Sequence, residues 1–339
     1  MSGKSKILVA RIGAIGDICM LLPLVLTLSR RYEVHWLIRD AHIPIVRCFP
    51  GVDCQLVGVS IGPDVDQPFP AEMVATLREE HYACFIDFSH WPSVVWLAGQ
   101  LSDIPIRAVT HDPGQDARLG ISVDSRTYEE VYNRVVSVPP DIHQVDKWRL
   151  LIRAVTGNDV QLDWPLPPRP VLSADRPLRI FLQSDAGKPE KIWPAARFAK
   201  VLANIATRHR VHCMINKVRR RTMSELRWRL LLSRVRTELV PRDPSFQRLR
   251  EALCRSDMAI GCDSGPMHFA SLLGVPTLVV YGRYPAAEFA PLYRSTAVSP
   301  PYPGLDADAV PADTVEAALD KLINQLRGAP ASVGQTSAA

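Results

Sequence analysis

Residues 6–17 read Lys-Ile-Leu-Val-Ala-Arg-Ile-Gly-Ala-Ile-Gly-Asp, and this stretch decides the fold. Lys6 to Ala10 is a short apolar run bounded by Arg11 and a pair of glycines, the pattern of a strand buried in a parallel sheet. Gly13 and Gly16 permit a tight turn and a close backbone approach. A helical pattern follows from Asp17 to Arg31, then a second apolar run, Glu33 to Ile38. Further on, a helical Ala71–Glu80 precedes a strand over Ala83–Phe88. Strands alternating with helices at this spacing predict βαβ units and a parallel sheet.

The alternation halts at Trp-Pro-Leu-Pro-Pro-Arg-Pro, residues 164–170. No helix or central strand accommodates so many prolines, so this is a stiff linker. The pattern then restarts. Strands are predicted at Leu178–Gln183, Val211–Ile215, Met258–Gly261 and Thr277–Tyr281, with helices at Ala195–Thr207, Arg220–Ser233, Ser245–Cys254, Pro266–Leu273 and Ala312–Leu326. The expected architecture is α/β: two Rossmann-like domains, residues 1–165 and 171–328, whose parallel sheets face a central cleft. Residues 329–339 are small, polar and proline-containing, and are expected to be a disordered tail. In such sheets ligands bind beyond the carboxyl ends of the strands, so the loops after each strand are where chemistry belongs.

The 339 residues allow about two domains at the usual ~150 residues each. Hydrophobic residues make up 47% and charged residues 22%, a globular balance that excludes a disordered chain or a membrane-spanning protein. Seven cysteines form no Cys-x-x-Cys pair and leave one odd. Reduced, mostly buried thiols fit that pattern better than a disulfide scaffold or a zinc knuckle. Lys4 and Lys6 ahead of an apolar stretch resemble a signal peptide, but Arg11, Asp17 and the two glycines interrupt it. A cytoplasmic protein is expected.

Asp17 closes the first loop, and two readings of it stay open. It is a carboxylate interacting with the helix macrodipole, worth ~1 kcal/mol, or a general base that takes a proton from an attacking hydroxyl. Arg11, Gly13, Ala14 and Gly16 line the loop through which a bulky acceptor would approach. The glycine pair, with Asp40 ending the next strand, also suggests a dinucleotide fingerprint and hence an NAD-type oxidoreductase. Against that, the third glycine is missing, and Asp17 occupies the helix start where a pyrophosphate would lie.

Two further loops carry polar clusters. Cys-Asp-Ser-Gly-Pro-Met-His, residues 262–268, follows a strand and opens a helix. Ser264 or Gly265 suits the N-cap and Pro266 the first helical position, which leaves free N–H groups for a diphosphate. Asp263 stands beside them. His268 in that first turn is expected to be neutral, because an imidazolium would face the positive end of the dipole. Ser-Asp-Ala-Gly-Lys-Pro-Glu-Lys-Ile-Trp-Pro, residues 184–194, adds Ser184, Lys188 and Lys191, compact cations suited to a leaving diphosphate.

Together these motifs resemble glycosyltransferase family 9, the heptosyltransferases of the lipopolysaccharide inner core. The resemblance rests on Arg-x-Gly-Ala-Ile-Gly-Asp at 11–17, Lys-x-Trp-Pro at 191–194 and Asp-Ser-Gly-x-x-His-x-Ala at 263–270. Leu-Gly-Val-Pro-Thr at 273–277, Tyr-Gly at 281–282, Phe-Ile-Asp-Phe at 85–88 and His-Gln-Val-Asp-Lys-Trp at 143–148 extend it. The resemblance implies a GT-B fold, with acceptor in the first domain and nucleotide sugar in the second. It implies inverting, single-displacement transfer from ADP-heptose to a lipid-linked oligosaccharide, with no metal and no cofactor. It places the base at Asp17, the phosphate-binding lysine at Lys191 and the diphosphate loop at Asp263–His268. Two stretches depart from the family: Ile-Asn-Lys-Val-Arg-Arg-Arg at 215–221 brings no carboxylate before Glu225, and Val-Pro-Arg-Asp-Pro at 240–244 lacks a glycine. Both fall where base and ribose would bind, so a different nucleotide sugar is the alternative donor.

Net charge is +5, yet residues 208–236 alone hold ten Lys/Arg against one acid, Glu225. One reading is the solvated face of an amphipathic helix. The other is attraction to anionic lipid of the inner membrane, ~1 kcal/mol per cation. No nucleic-acid-binding module accompanies the charge. A catalytically silent scaffold that binds sugar nucleotides is the remaining functional alternative.

Overall fold

The computed structural model of the protein describes residues 4–60, 68–112, 114, 125–169, 171–173, 175–216 and 235–328. The chain divides into two compact units, Met1–Trp164 and Pro165–Ala339.

In the first unit six parallel strands form one sheet: β1 (Lys6–Ala10), β2 (Glu33–Arg39), β3 (Gln55–Val59), β4 (Cys84–Asp87), β5 (Ile106–His111) and β6 (Arg134–Ser137). Their order across the sheet is β3-β2-β1-β4-β5-β6. In the second unit β7 (Leu178–Gln183), β8 (Val211–Asn216), β9 (Arg236–Val240), β10 (Met258–Cys262), β11 (Thr277–Val280) and β12 (Ser295–Val298) form another. Its order, β12-β11-β10-β7-β8-β9, is the same topology counted from its own first strand. Both sheets are parallel throughout. The α/β expectation is met, with a doubly wound sheet in each unit.

In a doubly wound sheet the strand order reverses once, and the loops flanking that point open a crevice. The reversal lies between β1 and β4 in the first unit and between β7 and β10 in the second. The loops leaving these four strands are Arg11–Ala14, Phe88–Trp91, Ser184–Pro194 and Asp263–Ser264. Three of the four are the polar loops singled out in the sequence.

The central strands are apolar on both faces because helices cover both sides. Leu8 and Ala10 of β1 and Phe85 of β4 are buried in a core that includes Val94 and Leu97 of the helix Pro92–Gln100. In the second unit Ile180, Leu182, Ile260 and Leu278 meet Phe198, Leu202, Leu319 and Ile323 from the helices Ala195–Ile205 and Ala312–Gly328. All seven cysteines are free thiols, five of them buried. Among the described residues no helix is long and apolar enough to cross a membrane. Residues 217–234 of the basic stretch, the helix expected at Arg220–Ser233 and the tail 329–339 lie outside the described residues.

The first helix begins at Ile15 and ends at Ser29, two residues earlier at each end than its sequence pattern suggests. Asp17 is therefore not the helix boundary. It sits in the first turn and reaches back to the backbone N–H of Ala14, the N-cap.

Candidate active site

The first loop is held from three sides. The Ile12 N–H donates to Ser89 Oγ at 3.2 Å, and Ser89 Oγ–H donates to the Ala10 carbonyl at 3.2 Å. The Trp36 indole donates to the Arg11 carbonyl at 3.2 Å. The His42 ring hydrogen-bonds the Ile12 carbonyl at 2.9 Å through Nδ1, and burial pushes its pKa below the usual imidazole range. Gly13 has no room for a side chain: a Cβ there would lie 2.9 Å from His42 Cε1 and 3.4 Å from the Trp91 ring. The glycine lets these two rings close on the turn.

Within this frame Asp17 is fixed through one oxygen. Its Oδ2 accepts the Ala14 N–H at 3.0 Å and pairs with the Arg11 guanidinium. Arg11 also donates to the Phe88 carbonyl and lies over the Trp148 ring, 5.6 Å from its centre. Asp17 Oδ1 carries no hydrogen bond among the described residues. Arg11, which the sequence placed only as a lining residue, is thus the charge partner of Asp17. The signal for the shelf beneath it was the motif ending in Trp148.

Asp87, at the end of β4, is fully buried. It accepts the Ser89 N–H at 2.6 Å, the His90 N–H at 3.3 Å and the Tyr132 hydroxyl at 2.6 Å, and burial raises its pKa. It orders the loop that carries Ser89, the residue bonded to Ile12. Lys147 and Asp112 form a second buried pair at 2.6 Å. Asp40, the ribose ligand of the oxidoreductase alternative, accepts the Ser60 hydroxyl at 2.7 Å.

In the second unit the loops after β7 and β10 meet. Lys191 Nζ pairs with Asp263 Oδ2 at 2.6 Å, where Asp263 is 4% exposed. Lys188 Nζ donates to the Tyr284 hydroxyl at 2.7 Å. Both ammonium groups lie by the same ring, Lys191 4.5 Å and Lys188 4.9 Å from its centre. Trp193 anchors this loop: its N–H donates to Cys262 Sγ at 3.3 Å and its indole to the Val310 carbonyl at 3.0 Å. The Cys262 thiol is pushed up to about 12 by burial, so it remains a neutral acceptor.

Ser264 is the N-cap of the helix Gly265–Leu272, with extended backbone and its hydroxyl donated to the Cys262 carbonyl at 3.1 Å. The first amides of this helix are those left without intrahelical acceptors. His268 is buried in the first turn. Ser184 is buried at the end of β7, with no hydrogen-bond partner for its Oγ among the described residues. Asp185, which the sequence reading passed over, is also buried, and its Oδ1 accepts the Ala186 N–H at 2.9 Å to close the turn. Lys188, Lys191 and Asp263 are therefore brought together, and Tyr284 is the member of the cluster that the sequence did not disclose.

Two doubly wound α/β units with matched topology, each carrying a polar loop at its reversal point, constitute the GT-B architecture of a glycosyltransferase. Solved structures agree on the fold. A family 9 glycosyl transferase from Veillonella parvula matches with a TM-score of 0.72 at 14% identity, covering 96% of this chain and 99% of that one. The E. coli heptosyltransferase WaaC, solved with ADP, matches at 0.68 and 15% identity (94% and 99% covered). E. coli ADP-heptose lps heptosyltransferase II matches at 0.68 and 18% identity, again over 94% and 99%. No curated protein matches in sequence. The family model for glycosyltransferase family 9 (heptosyltransferase) matches residues 108–301, more than half of the chain. The chain belongs to that family, and the oxidoreductase alternative is set aside.

Proposed function

We infer that the protein is an inverting, metal-independent heptosyltransferase that moves heptose from ADP-heptose to a lipid-linked oligosaccharide of the lipopolysaccharide inner core. The first unit (Met1–Trp164) takes the acceptor and the second (Pro165–Ala339) the nucleotide sugar. Two E. coli relatives, a heptosyltransferase solved with ADP and an ADP-heptose lps heptosyltransferase, support this donor.

The observation that carries the reading is the one-sided fixation of Asp17. Its Oδ2 is held by Arg11 and the Ala14 amide, while Oδ1 is left to accept a proton. A base is effective only when it is oriented within hydrogen-bond reach of the proton it removes. Asp17 takes the proton of the acceptor hydroxyl as that oxygen attacks the anomeric carbon. The C–O bond to the diphosphate breaks from the opposite side, which inverts the configuration. Negative charge develops on the leaving diphosphate, and Lys188, Lys191 and the helix start at Ser264–Gly265 are placed to stabilise it. Asp263 orients Lys191, and His268 offers a hydrogen bond from the first turn of the helix Gly265–Leu272.

The test is release of ADP from ADP-heptose in the presence of core-truncated lipopolysaccharide. Acceptor-dependent ADP release that is lost in Asp17→Asn supports the reading. Turnover of another nucleotide sugar in its place would overturn the donor. The cationic stretch 208–236 is read as a peripheral contact with anionic lipid at the cytoplasmic face of the inner membrane, the side on which a lipid-linked acceptor would be met.

A further inference from the structure

The Lys188–Tyr284–Lys191 cluster carries an inference that rests on the donor reading and deepens it. Four charges converge here: the two ammonium groups and the carboxylates of Glu190 and Asp263. Asp263 pairs with Lys191. Glu190 Oε1 accepts the Tyr284 hydroxyl at 3.3 Å while that hydroxyl accepts from Lys188. The tyrosine stands between the opposite charges of Lys188 and Glu190. A π face and a hydroxyl hold a cation without cancelling its charge, whereas a carboxylate holds it by neutralising it.

The ring is itself fixed. Tyr284 is 7% exposed and packs edge-on against Phe289, 6.3 Å between ring centres. Gly282 lets it come so close: a Cβ there would lie 2.5 Å from the Glu190 carbonyl oxygen and 2.6 Å from the Ala307 nitrogen. The segment leaving β11 therefore lies directly on the turn Pro189–Lys191, and both ammonium groups lie by the Tyr284 ring.

We propose that Tyr284 is a positioning residue that holds Lys188 and Lys191 as a two-cation clamp, and that the clamp selects a nucleoside diphosphate over a monophosphate. One ammonium suffices for one phosphate, and two held at fixed spacing reward the second. An entering diphosphate takes over the ammonium contacts made by carboxylate oxygens and leaves the ring contacts in place. Without the ring, Lys188 closes on Glu190 and the second cation is neutralised.

The experiment is calorimetric binding of ADP and AMP (UDP and UMP in parallel) to wild type, Tyr284→Leu, Tyr284→Phe, Lys188→Met and the double variant Tyr284→Phe/Lys188→Met. Tyr284→Leu is expected to weaken the diphosphate ~10-fold and the monophosphate less than ~3-fold, the scale of one charge-assisted hydrogen bond and one cation–π contact. Tyr284→Phe keeps the ring and loses only the hydroxyl, so it is expected to cost ~3-fold alone and nothing further in the Lys188→Met background. Equal losses for diphosphate and monophosphate, or additive losses in the double variant, would overturn the clamp. If Tyr284→Leu does not fold, the Phe/Met cycle decides alone. Wild type that binds neither diphosphate removes the donor reading itself, whereas binding with an unmoved ratio removes only the clamp.

Discussion

Replacing Asp17 by asparagine separates its helix-capping contact with Ala14 from its proposed work as general base. Asparagine keeps an oxygen that can accept the Ala14 N–H, so the helix-capping contribution of about 1 kcal/mol survives. What disappears is the ion pair with Arg11, whose side chains are 13% and 22% exposed on the two partners. An exposed pair contributes about 0.2–1 kcal/mol, and breaking a fully buried one costs about 3–5 kcal/mol. This half-buried pair falls between them, so Asp17→Asn is expected to lose about 1–3 kcal/mol of stability. Removing the general base is expected to lower turnover ~10²–10⁴-fold. Denaturant unfolding followed by circular dichroism gives the first number, and acceptor-dependent ADP release gives the second. The signature is a folded protein with a small stability loss and a large rate loss. Turnover within ~3-fold of wild type in a folded Asp17→Asn would refute the assignment of the base and leave Asp17 as a cap.

Lys147→Met removes the ammonium that pairs with the buried carboxylate of Asp112 and is expected to cost about 3–5 kcal/mol by urea unfolding, most of it recovered in Asp112→Leu/Lys147→Met. Gly282→Ala forces a Cβ onto the Glu190 carbonyl. A cost of about 1–3 kcal/mol in stability is expected, together with weaker diphosphate binding by calorimetry. His42, His209 and His212 have pKa values lowered from 6.5, in each case chiefly by burial. The unfolded chain therefore binds protons first, so stability is full above pH about 6.5 and falls as pH drops through the folded values. Urea midpoints between pH 7.5 and 5.5 check this, and His42→Gln should flatten the fall. The cationic stretch predicts salt-sensitive cosedimentation with anionic vesicles, and equal retention on neutral vesicles would refute the electrostatic account.

The central strands were legible because burial on both faces writes itself as a continuous apolar run, as in Ile180–Leu182 and Met258–Cys262. Strands β3, β5, β6, β9 and β12 were not, because they sit at or toward the sheet edges and carry partly exposed residues, as in Arg134–Ser137. The start of the first helix was misplaced for a specific reason. Its N-cap is Ala14, which has no side-chain acceptor, and the visible carboxylate lies three residues inside. Among the candidate site residues, Lys188, Lys191 and Asp263 stood out as charges in glycine- and proline-punctuated loops. Tyr284 did not, because its contact with Lys188 spans 96 residues and exists only where Gly282 lets two backbones touch. Arg11 was visible as a residue, but its pairing with Asp17 needed the three-dimensional path of the loop.

In the proposed reaction, proton removal belongs to the first unit's loop and phosphate binding to the second unit's loops. A crystal structure with a nucleoside diphosphate tests that division most directly. The diphosphate is expected against Lys188, Lys191 and the amides at Ser264–Gly265, with Asp17 untouched by phosphate. A diphosphate seated on Gly13 and Gly16, with Lys191 still paired to Asp263 and no ligand beside it, would contradict it.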